Sequence, residues 1–133
     1  FGFQIMGMAH GGCVKSLGED RREKIYEIIH VCQNNQKTPS NRQEQSCLFQ
    51  GLGNTISVYQ CHNDYLENCP VGFRVTSRSA DGIIESIECP EKLRFGVQFH
   101  PENSLIGHKI LDNFVTFCEE METLKSRFKW MKG

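Results

Sequence analysis

The chain has 133 residues, 38% hydrophobic and 23% charged, with a formal net charge of −1, a length that fits one globular domain able to bury a core. The near-neutral balance leaves no basic field for nucleic acid, and no apolar run approaches the ~20 residues of a membrane span. Seven cysteines, an odd number, fall at 13, 32, 47, 61, 69, 89 and 118 without a C-x-x-C pair, the usage of reduced thiols in a cytoplasmic compartment.

Residues 2–9 read as the first turns of a helix with Ile5, Met6 and Met8 facing inward, broken by Gly11-Gly12 before an extended stretch at Cys13-Val14. Residues 21–32 are two-valued. Ile25, Ile28, Ile29 and Cys32 sit at helical spacing, yet the β-branched run suits a strand. Residues 33–46 are polar and contain Pro39, an exposed loop. A turn at Leu48–Leu52 leads into a strand from Thr55 to Tyr59, with Ile56 and Val58 on one face. Residues 74–88 form two β-rich runs joined at Asp81-Gly82, a hairpin. Ser104 is placed to cap a last helix, whose stripe of Ile106, Ile110, Leu111, Phe114, Val115, Phe117, Cys118 and Met121 reads as core. The basic residues from Lys125 to Lys132 form its solvated end.

The segment Gly96-Val97-Gln98-Phe99-His100-Pro101-Glu102 carries the chemistry. An apolar strand delivers His100 to its end, and Pro101 stops the pairing there. Glu102, two residues on, can turn back to the imidazole. A carboxylate on one ring nitrogen fixes the tautomer and frees the other to take a proton from a nucleophile. His10-x-x-Cys13 and His30-x-Cys32 are the nearest approaches to a zinc site, and neither has a second ligand pair at suitable spacing. Neither a metal nor a cofactor is expected.

The GVQFHPE segment resembles the histidine–glutamate signature of the class I (triad-type) glutamine amidotransferases. Phe1-Gly2-Phe3-Gln4 is similar to the end of their Gly-x-Cys-x-Gly-x-Gln nucleophile motif. Tyr59-Gln60-Cys61-His62-Asn63-Asp64, followed by Cys69-Pro70-Val71-Gly72-Phe73, is similar to their Ser-His-x-Asp and Leu-Pro-x-Gly-Phe stretches, with Cys61 for Ser and Cys69 for Leu. The resemblance runs from Phe1 to about Cys118, leaving 119–133 as a C-terminal helical tail, and it favours the extended reading of 21–32.

The resemblance implies an α/β, flavodoxin-like fold: a three-layer sandwich around a mainly parallel sheet, of which this chain would hold the later part. It implies His100 as general base, Glu102 as its orienting carboxylate and the Phe1 N–H as an oxyanion donor. Gln4, Tyr59, Gln60 and Cys61 would hold L-glutamine. The nucleophile cysteine would stand just before Phe1, so this chain alone would be inactive. None of the seven cysteines is an obvious substitute, although Cys13 and Cys61 are candidates. His62 and Asp64 read as loop-structuring. Ammonia would pass to a synthase domain or subunit. Two alternatives stay open: a γ-glutamyl hydrolase or peptidase of the same fold, and a non-catalytic protein that keeps the fold for binding or regulation. An apolar edge and face left uncovered predict a poorly soluble or oligomeric chain.

Overall fold

The computed structural model describes residues 2–32 and 46–131. Most of the 33–46 loop expected from sequence, and Phe1, lie outside them. Helix α1 (Gly2–Ala9) is followed by strands β1 (Val14–Ser16), β2 (Arg22–Val31), β3 (Thr55–His62), β4 (Asp64–Leu66), β5 (Arg74–Ser79), β6 (Ile84–Cys89) and β7 (Arg94–Val97), and then by the long helix α2 (Leu105–Met131). β1 and β4 form a small ribbon, and the main sheet has the order β3-β2-β5-β6-β7.

Every strand pair among the described residues is antiparallel, in contrast to the mainly parallel sheet expected. The connections explain it. β5 and β6 are joined by Ala80–Ile83, and β6 and β7 by Pro90–Leu93, and links of that length return a strand only beside its predecessor and reversed. The hairpin at Asp81-Gly82 forms as its turn chemistry requires, with Gly82 at φ 87°.

β7 shows how the layers stack. Its residues alternate between faces, so Gly96 meets Phe3 and Met6 of α1, while Phe95 and Val97 pack with Ile29, Leu48, Phe49, Ile56, Val58, Phe99 and Ile110 on the α2 side. The α1 side is closed by Phe3, Leu66, Ile84 and Ile87. α1 buries Phe3, Gln4 and Gly7, one row of a helix, so Ile5 and Met8 point to solvent rather than inward. Gly11, at φ 87°, ends the helix, its N–H reaching the Met8 carbonyl at 3.1 Å.

Residues 22–31 are a strand, which settles the two-valued segment. Its helical spacing is incidental: Ile29 is buried, but Ile25 and Ile28 are exposed. The register with β3 slips between Arg22 and Ile25, and Lys24 in this bulge holds φ 50°. An L side chain in that left-handed region is strained. Lys24→Gly is therefore expected to stabilise the chain by about 1 kcal/mol, read as a higher urea midpoint.

The α2 stripe is core only in part. Gly107 and Ile110 are buried. Ile106, Phe117, Cys118 and Met121 are half-buried, and Leu111, Phe114 and Val115 are exposed. Only the first turns of the helix face the sheet. Ser104 caps it as expected, its Oγ accepting the Gly107 N–H at 3.0 Å. Asn113 ties the 48–50 turn to the helix through the carbonyls of Leu48 and Gln50, both at 2.9 Å.

Candidate active site

His100 sits just past β7, where Pro101 turns the chain into a short 3-10 segment, Pro101–Asn103. Its backbone N–H donates to the Tyr59 carbonyl of β3 at 2.9 Å, so the sheet itself fixes its position. The ring Nδ1 is 2.8 Å from Glu102 Oε1. A carboxylate only accepts, so Nδ1 carries the proton. That bond holds the Glu102 carboxyl below the ordinary carboxylate range. Nε2 lies 3.4 Å from the Cys61 carbonyl. An acceptor thus faces each ring nitrogen. The imidazole is 41% exposed and Glu102 59%, so the dyad faces outward and can meet a substrate.

The turn that carries Glu102 is clamped from α2. His108 Nε2 donates to the Glu102 carbonyl at 2.9 Å, and Gly107 lies so close to Pro101 that a Cβ would collide with the Pro101 backbone. Gly107→Ala is expected to cost about 1–3 kcal/mol, the range for overpacking, and to displace Glu102. Thermal unfolding and ammonia release from glutamine would both register it. Tyr26 reaches the same turn from β2, its hydroxyl donating to the Asn103 carbonyl at 3.3 Å and its ring meeting Tyr59 edge-on at 5.3 Å. Sequence reasoning passed over Tyr26 and His108. Tyr26 lay in the two-valued segment, and only as a strand does it fall opposite Tyr59. His108 is joined to Glu102 by the capped helix start, which no short motif announces.

The other expected residues divide in two. Tyr59 and Cys61 border His100, Tyr59 with its ring 6.4 Å away and Cys61 through its carbonyl. The Gln60 side chain points elsewhere, as alternation along a strand requires. It is fully buried, with Nε2 donating to Glu85 at 2.8 Å. Gln4 is buried on α1, its amide donating to Gln98 Oε1 at 3.0 Å and weakly to the Asp64 carbonyl at 3.4 Å. Its Oε1 has no protein partner. No cysteine sulfur is among the partners of His100 in the described residues.

His62 is buried, and its Nδ1 donates to the Asp64 carbonyl at 2.8 Å across the tight β3–β4 connection. Burial pushes its pKa down, keeping the ring neutral. A cleft of ≈ 310 Å³ borders Cys61, lined by Glu23, Lys24, Cys61, His62 and Asn63. Among the described residues no cluster of His, Cys, Asp or Glu could hold a metal ion, and no helix is long and apolar enough to cross a membrane.

Residues 1–117 match the family model of class-I glutamine amidotransferases. The glutamine-hydrolyzing GMP synthase of Corynebacterium jeikeium is 32% identical over all of this chain and 22% of its own length. That of Thermosipho africanus is 39% identical over 92% of this chain and 21% of its own length. The chain thus spans about a fifth of these curated relatives. Among solved structures, a protein of Thermoplasma acidophilum described as part of a GMP synthase superposes with a TM-score of 0.73 at 23% identity, over 93% of this chain and 57% of that one. A glutamine amidotransferase of Thermotoga maritima gives 0.55 at 18% identity, over 92% and 46%. The sheet flanked by α1 and α2 thus follows a known α/β fold, and the chain belongs to the class-I glutamine amidotransferase family.

Proposed function

We propose that this domain hydrolyses the side-chain amide of L-glutamine to glutamate and ammonia, with His100 as the general base and Glu102 as the carboxylate that orients it. The observation that carries this reading is the His100–Glu102 contact of 2.8 Å at a sheet-anchored strand end, with the second ring nitrogen turned toward the Tyr59–Cys61 edge of β3. In this reading the thiol is the cysteine of the Gly-x-Cys-x-Gly-x-Gln motif that Phe1-Gly2-Phe3-Gln4 resembles.

His100 takes the thiol proton, and the thiolate attacks the amide carbon. The Phe1 N–H supports the oxyanion. His100 then returns its proton to the leaving nitrogen, and ammonia departs from a γ-glutamyl thioester. Water, deprotonated by His100, cleaves the thioester to glutamate and the free thiol. The backbone of Tyr59, Gln60 and Cys61 lines the substrate. Glu23 and Lys24, beside Cys61, supply one charge of each sign for the two charged groups of a free amino acid.

The relatives are named as glutamine-hydrolyzing GMP synthases, and the ammonia acceptor is accordingly a GMP-forming synthase, as a linked domain or a separate protein, in the cytoplasm. The test compares ammonia released by the full-length protein from glutamine with hydrolysis of γ-glutamyl peptides. Turnover of glutamine coupled to a synthase supports the reading. Preference for γ-glutamyl peptides would assign a hydrolase, and no turnover of either a binding protein.

A further inference from the structure

α2 does not stop where the family match ends at residue 117 but runs on to Met131, about 21 Å further at 1.5 Å per residue. Phe114, Phe117, Met121, Leu124, Phe128 and Met131 are spaced alternately three and four residues apart, the repeat of a helix seam that packs on another helix. The first part of this seam is seated on its own sheet: Phe95 meets Phe114 at 5.6 Å and Phe117 at 5.4 Å. The continuation has no such seat. Leu124 is 45% exposed, Phe128 60% and Met131 81%.

We propose that residues 118–131 form a self-association surface that pairs antiparallel with the same segment of a second copy of this chain. The direction follows from the sheet. In a parallel pair, the first half of the second helix would need the volume that Phe95 and its strand already fill. An antiparallel helix lies mainly over the free half and overlaps the seated part only at its last turn. The register then follows from charge. When Met121 faces Leu124 of the second copy, Phe128 faces its Phe117, and Glu120 stands beside its Arg127. By two-fold symmetry this ion pair occurs twice. The segment holds Glu119, Glu120 and Glu122 against Lys125, Arg127 and Lys129. That balance suits self-pairing and offers no net charge to an anionic lipid surface.

Sedimentation equilibrium of the full chain is the test. A reversible dimer is expected. Leu124→Glu should weaken it at least 100-fold while the far-UV helical signal of the monomer is kept. Glu120→Arg and Arg127→Glu should each weaken it about tenfold, and the double exchange should restore it to within about threefold. Restoration cannot come from a folding defect, since both residues are solvent-exposed in one chain. A monomer at every concentration, including one that instead binds anionic vesicles, would overturn the proposal. So would a dimer indifferent to Leu124→Glu, or a double exchange that fails to restore, as parallel pairing of Glu120 with Lys125 would produce.

Discussion

His100→Ala in the full-length protein is expected to lower ammonia release from glutamine by about 10²–10⁴-fold, the contribution of a positioned general acid–base group. The same ring serves twice, taking the thiol proton and then protonating the leaving nitrogen, so its loss falls on kcat rather than on glutamine affinity. Steady-state kinetics separate the two, and a fall confined to KM would refute the assignment. Glu102→Gln should cost less, about 10–100-fold. This carboxylate is 59% exposed, and water can partly replace its hold on Nδ1, unlike in a buried triad. The hydrogen bond from His100 keeps Glu102 ionised to a lower pH than an ordinary glutamate. Loss of activity below neutrality should therefore follow groups other than Glu102 and persist in Glu102→Gln.

The heptapeptide around His100 was legible because each residue imposes a local constraint: an alternating strand, a proline that ends it, and a carboxylate two positions on. The hairpin and the Ser104 cap were legible for the same reason, since Asp-Gly and an N-terminal serine act within four residues. The α1 face was misread because Phe3, Gln4 and Gly7 are selected by where the sheet lies, not by hydrophobicity along the helix. Ile5 and Met8 are as apolar as any core residue and point away. Gln60 can line the site only through its backbone. Tyr59 and Cys61 face the site, and alternation alone puts the amide between them on the other side. Sheet direction was legible only at the Asp81-Gly82 hairpin, because elsewhere it depends on which strands meet, and the GVQFHPE motif says nothing about pairing.

The buried partner of Gln60 leads to the second large effect, on stability. Glu85 is fully buried, and burial, reinforced by the nearby Glu27 charge, raises its pKa from 4.5 to about 8 against the opposing Gln60 hydrogen bond and Arg22. Glu88, equally buried on the same strand, has the Arg74 guanidinium and the Ser46 hydroxyl as partners. The Glu85 side chain has an amide alone, and its Oε1 is unpartnered. The raised folded pKa fixes the sign. Below pH 4.5 both states are protonated and the group is neutral to stability. From there to about pH 8 the unfolded chain ionises while the folded one keeps its proton, so stability falls with rising pH, by up to about 5 kcal/mol in all. Above pH 8 the loss is complete and the curve flattens. Glu85→Gln removes the titration while keeping the shape. Its amide can donate to the Gln60 Oε1, which also lacks a partner. The variant should match the parent near pH 5 and exceed it by several kcal/mol at pH 8–9 in urea unfolding. Parallel curves for the two proteins across that range would show that Glu85 enters the fold already ionised.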